Sequence, residues 1–179
     1  MSGDAPYEKE SILEALDDAV GQVVGWFSDA EDRQFTAGPA GKWTAGQHLD
    51  HLIRSTKPVT TALKLPKLVP GLLFGKALEP SLDYDGVVAR YRAALDAGGK
   101  ASGRFVPPDV AVSQRDRLIA DYSLAGTDLH NTVLRWDEGA LDTYRLPHPL
   151  IGKLTVREML LFTVYHTRLH RAILDRDYA

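Results

Sequence analysis

Apolar residues recur at three- and four-residue steps along almost the whole chain, a period that commits it to helices packed on one another. Ile12, Leu16, Ala19, Val20, Val23 and Phe27 form the first stripe, with Glu14, Asp17, Asp18 and Gln22 between them. An amphipathic helix is therefore expected from about residue 8 to residue 28, with Asp4 and Pro6 as its start signal. Residues 30–42 are polar, contain Gly38, Pro39 and Gly41, and read as a loop. Thr44-Ala-Gly-Gln47 has the form of a capping box and opens a second helix to about Leu63, which Pro58 should kink or break.

Residues 65–80 hold Pro66, Pro70, Gly71, Gly75 and Pro80 around apolar Leu68, Val69, Leu72, Leu73 and Phe74. So broken a segment cannot form a long helix, and so apolar a segment needs cover. It is expected over a pocket or in a homodimer contact. A shorter helix over about 83–97 follows from Val87, Val88, Tyr91 and Leu95, closed by Gly98-Gly99. Ser113-Gln-Arg-Asp116 has a capping-box form ahead of a helix through Leu118, Ile119, Tyr122, Ala125, Leu129, Val133 and Trp136, and residues 147–152 read as a turn. Thr155-Val-Arg-Glu158 is the clearest capping box, with Leu154 and Met159 placed for a hydrophobic staple. The helix it starts, Val156 to about Asp175, is apolar on most sides and should be central. No convincing strand is visible. The expected fold is all-α: an antiparallel four-helix bundle with an additional shorter helix, in one domain over residues 1–179.

Composition narrows the function. Hydrophobic residues make up 44% and charged residues 25%, enough for a packed core and unlike a disordered chain. Lys and Arg total 21 against 24 Asp and Glu, a net charge of −3 with no basic block, which argues against a nucleic-acid partner. The chain has no cysteine, so disulfides, thiolate metal ligands and a cysteine nucleophile are excluded. The first residues show neither a basic start nor an apolar stretch, and no apolar run approaches the roughly 20 residues of a membrane span. A cytoplasmic protein without a membrane partner is the expectation.

The chemistry-bearing residues are histidines: His48, His51, His130, His148, His166 and His170. His166-Thr-Arg-Leu-His170 puts two imidazoles four residues apart, one above the other on a helix face, a spacing that suits one divalent metal. The same pair could equally form a hydrogen-bonded polar seam. Residue 167 is threonine, so the H-E-x-x-H metalloprotease pattern is absent. A third ligand must come from a facing helix, where the second helix offers His48 and His51, only about 60° apart around its axis. Periodicity leans to His48, which lies closer to the stripe of Ala45, Leu49, Leu52 and Thr56. His130 reads as a solvated or capped histidine, His148 as a local backbone partner, Trp43 as an anchor at a helix start, Trp26 and Trp136 as packing, and Asp50 as a surface residue. Asp17, Asp18, Asp116 and Asp121 read as solvated charges. No carboxylate pair, serine–histidine–acid set or glycine-rich phosphate loop stands out.

Trp43-Thr44, His51-Leu52-Ile53, His148-Pro149-Leu-Ile-Gly152-Lys-Leu and the closing run from Leu154 through His166 to His170 together resemble the DinB-like superfamily of metalloenzymes. The resemblance implies a four-helix bundle and a divalent metal held by one histidine of the second helix and the H-x-x-x-H pair of the last. The first of these ligands lies eight residues after the tryptophan. That assigns the metal to His51, His166 and His170, and a polar stripe of Thr44, Gln47, His51 and Ser55 fits an open site. Arg171 matches the residue that follows the last ligand in many relatives, whereas Ala172 and Ile173 depart from their pattern. The resemblance further implies a metal-dependent enzyme on small molecules, and three imidazoles accept a divalent cofactor such as zinc, nickel or iron without choosing among them. Thiol-dependent S-transfer, using a low-molecular-weight thiol as partner, leads. The alternatives are a metal-dependent hydrolase and a non-catalytic metal- or ligand-binding stress-associated bundle.

Overall fold

The computed structural model describes residues 7–178, so the start signal read at Asp4 and Pro6 lies outside the described residues. Four long helices, α1 (Lys9–Asp29), α3 (Ala45–Lys64), α6 (Arg115–Val133) and α8 (Val156–Asp177), carry the fold, and each is built on the stripe expected of it. Ile12, Leu16, Val23 and Phe27 of α1 are all buried. In α8 the run from Val156 through Thr167 is buried without a break, which makes it the central element. The four helices close a ring in which α1 packs on α6 and α8, and α3 packs on α6 and α8.

Side-chain bonds fix the helix directions. Arg115, at the start of α6, donates to the Phe27 carbonyl at the end of α1 (2.7 Å), and Lys9 Nζ donates to the Trp136 carbonyl beyond the end of α6 (3.0 Å). These two helices are antiparallel. So are α3 and α8, where His48 faces His170 and His51 faces His166. The neighbouring pairs α1–α8 and α3–α6 run in the same direction: Arg171 of α8 reaches the Gln22 carbonyl of α1, and Trp136 Nε1 reaches the Leu63 carbonyl. The cause is the long connection from α3 to α6, which returns the chain to the end of the bundle where α3 began. It carries α4 (Leu68–Phe74) and α5 (Tyr84–Asp96), and α5 packs along α8.

Several local expectations change. A five-residue helix, α2 (Asp32–Thr36), interrupts the first loop. α3 runs through Pro58 without a break, because one missing N–H is tolerated where the rest of the helix is packed. Residues 68–74 are helical despite Pro70 and Gly71, since Pro70 falls in the first turn, where its N–H is not needed. The Ser113–Asp116 box does not form. A 3₁₀ turn (Val112–Gln114) takes its place, with Gln114 Oε1 accepting from the Ala111 N–H at 2.8 Å, and α6 starts at Arg115 and ends at Val133. A short helix α7 (Glu138–Thr143) and a two-stranded antiparallel hairpin, β1 (Arg145–His148) and β2 (Gly152–Thr155), occupy what reads as loop and turn. Two four-residue strands, one of them containing Pro147, give no alternating signal long enough to detect.

The boxes at Thr44 and Thr155 form as expected. Thr155 Oγ1 accepts from Glu158 N (3.1 Å), Glu158 Oε2 accepts from Thr155 N (2.7 Å), and Glu158 Oε1 also accepts from Leu82 N (2.9 Å). Thr155→Ala should cost about 1–2 kcal/mol in urea unfolding, near the upper end for a cap because the threonine is buried. On the outside, Leu68, Leu72, Leu73 and Leu78 of α4 and the residues after it stay exposed, by 64–95%. No helix among the described residues is long and apolar enough to cross a membrane.

Candidate metal centre

The antiparallel crossing of α3 and α8 brings His51, His166 and His170 together, with one ligand atom from each lying within 4.8 Å of the others. All three are buried. His51 Nε2 lies 3.2 Å from His166 Nε2, and His170 Nε2 lies 3.2 Å from the same atom. Two nitrogens at 2.0–2.1 Å from a tetrahedral cation would stand about 3.3–3.4 Å apart, so the cluster has the span of a metal site.

The outer nitrogens are also engaged. His51 Nδ1 is 2.7 Å from the Phe105 carbonyl, which can only accept, so His51 carries its proton there and turns the Nε2 lone pair inward. His170 Nδ1 meets His48 Nδ1 at 2.8 Å. If His170 offers Nε2 to a cation, its proton sits on Nδ1 and His48 Nδ1 accepts it. His48 therefore backs a member of the cluster rather than joining it, and its ring packs against Trp43 and Tyr178.

Burial, reinforced by the neighbouring imidazoles, holds His166 and His170 well below the ordinary histidine range. Burial also lowers His51, against the opposing pull of the Phe105 carbonyl, and takes His48 down to about 4. Neutral imidazoles with converging lone pairs are the form that ligates divalent metals. With three nitrogens and no thiolate or carboxylate, the donor set fits zinc, nickel or iron.

A cavity of about 450 Å³ opens beside the cluster, lined by all four of these histidines and by largely apolar walls from α3, α8, the hairpin and the segment before α6. Its lining holds no Asp or Glu among the described residues, and its charged residues are Lys100 and Arg104. Phe74 of α4 contributes to the wall, so one end of that apolar segment does cover a pocket. Trp43 does more than anchor a helix start: its ring lies 4.9 Å from that of His51 and lines the cavity.

The remaining candidates do not join the cluster. His130 bonds Asp17 of α1 at the surface (3.1 Å), and Asp50 bonds Arg54. His148, in the hairpin, accepts from backbone N–H groups as expected of it, and its ring also reaches the cavity. Sequence reasoning missed the Phe105 carbonyl, a backbone group on a distant segment that leaves no signal in residue type. It also missed Tyr178, whose hydroxyl donates to the Trp43 carbonyl beside the cluster.

A family model described as the DinB superfamily matches residues 8–174. No curated protein and no solved structure matches the chain.

Proposed function

The chain belongs to the DinB superfamily, and on that footing we propose that it is a metal-dependent enzyme acting on small molecules by thiol-dependent S-transfer. His51, His166 and His170 would hold the divalent cation. The observation that carries this reading is the convergence of three buried imidazole nitrogens at the wall of a roomy, mostly apolar cavity. Once bound, the cation would lower the pKa of a thiol brought against it and make a nucleophile available at neutral pH.

The chain's own residues supply the rest. The Phe105 carbonyl and His48 hold two of the three imidazoles in orientation from behind. The apolar walls keep bulk water from the reacting groups. With no cysteine in the chain, the sulfur must arrive with a co-substrate. Among the described residues the lining holds no Asp or Glu, so a proton leaving a bound thiol would pass to solvent or to an imidazole.

Stripping divalent metal with a chelator should abolish transfer of a small thiol to a halogenated acceptor, and adding metal back should restore it. Equal rates with and without metal would overturn the enzymatic reading and leave a metal-binding bundle without chemistry.

A further inference from the structure

His148 closes strand β1, opposite Gly152 in the hairpin register. Its Nδ1 accepts from two backbone N–H groups of the hairpin turn, Leu150 N and Ile151 N, each at 3.2 Å. A ring nitrogen that accepts twice carries no proton, so in the neutral ring the proton sits on Nε2. Burial, with Arg90 nearby, keeps the ring neutral by lowering its pKa to about 4. Arg90 also pins the turn, donating from Nη2 to the Ile151 carbonyl at 2.6 Å. The tautomer is thus set by the backbone, and the backbone is held in place.

Nε2 makes no hydrogen bond to any described residue, yet it is not among the sealed, partnerless polar atoms, and the ring lines the cavity. The wall around it is largely apolar, with Leu146, Pro147, Pro149 and Phe162, and the Tyr91 ring also packs against it. Phe162 meets His148 edge to face at 4.3 Å and stacks on His166 at 5.1 Å, and Tyr91 stands edge to face with both at 6.0 and 6.2 Å, so these two rings lie between His148 and the histidine cluster.

We propose that His148 Nε2–H is a fixed, uncharged hydrogen-bond donor to the substrate, and that the cavity takes apolar molecules carrying an acceptor oxygen, carbonyl compounds foremost. A donor set in an apolar wall rewards a ligand that brings an acceptor and penalises a hydrocarbon that strips its water without replacing it. Being neutral, it asks for no negative charge. The inference rests on reading this cavity as the substrate site.

Benzylacetone and butylbenzene, matched in their aromatic ring and differing in the carbonyl, test it by infrared spectroscopy and by binding, with and without added zinc. The expected result is a carbonyl stretch moved to lower wavenumber. Benzylacetone should also bind about tenfold more tightly than butylbenzene after correction for their transfer from water. His148→Asn keeps an acceptor within reach of the Leu150 and Ile151 N–H groups, so the turn should survive, while its shorter amide draws the N–H donor back from the position of Nε2 and out of reach of the ligand. It should lose both the shift and the preference, whereas the longer His148→Gln should recover part of each. An unshifted stretch, or the same shift in wild type and His148→Asn, would overturn the proposal while binding of both probes left the cavity reading intact. If neither probe binds, both fall. Zinc-independent binding separates this donor from any carbonyl contact with the metal.

Discussion

Replacing His51, His166 or His170 by alanine should weaken zinc binding by about a thousandfold or more, since each would remove one of the three proposed protein ligands, and even structural zinc sites with four ligands bind by only about 10–16 kcal/mol in all. His48→Ala should cost only about 10–100-fold, the range for a group that orients a ligand from behind. The distinction follows from the distances. His51 and His170 each point Nε2 at His166, whereas His48 meets the far nitrogen of His170 at 2.8 Å. Competition with a chromophoric chelator gives all four affinities on one scale. Equal losses for His48→Ala and His51→Ala would break the assignment of ligand and backing residue.

Arg157→Met should be strongly destabilising although it is remote from the cluster, costing about 3 kcal/mol and lowering Tm by roughly 6–12 °C. The arginine is 2% exposed in the first turn of α8. It donates to Asp142 through Nε (2.7 Å) and Nη2 (2.9 Å), pairs with Glu138 at 2.8 Å, and reaches the Tyr7 carbonyl. It therefore ties α7 and the entry to α1 onto the central helix. Methionine fills much of the volume but leaves these acceptors without their donor, and both carboxylates are partly exposed, which keeps the loss below that of a wholly buried pair. The Arg157 hydrogen bonds hold the Asp142 carboxyl below its usual range. Its stabilising contribution is therefore complete above the ordinary carboxylate pKa of about 3.9 and lost as pH falls through the lower folded value. Thermal scans against pH should show this acid-sensitive step in wild type and its loss in Arg157→Met.

Features set by local spacing are legible in the sequence. The boxes at Thr44 and Thr155 depend on residues three apart, and the stripes of α1 and α8 on residues three and four apart, so both can be read before any tertiary contact is known. The shared face of His166 and His170 is legible for the same reason. Features set by distant partners are not. Ser113 and Asp116 have a box's residue types, but Gln114 satisfies the Ala111 N–H instead and the helix begins two residues later than Ser113. The hairpin is too short to show alternation, and α7 too short to show a stripe. Periodicity leans to His48, whereas the cluster takes His51, because 60° of helix arc lets both face α8. The structure uses both, one toward His166 and one behind His170. The parallel run of α3 beside α6 is likewise invisible locally, since it follows from the path of the intervening crossover.

The central claim is that three histidines of two helices hold one divalent cation. Elemental analysis after equilibrium dialysis against micromolar zinc tests it most directly, on wild type and on the His51→Ala/His166→Ala double variant, with circular dichroism to check that both are folded. One ion per chain in wild type and none in the folded double variant is the predicted result. A wild-type protein that holds no zinc, or a double variant that holds as much, would contradict it.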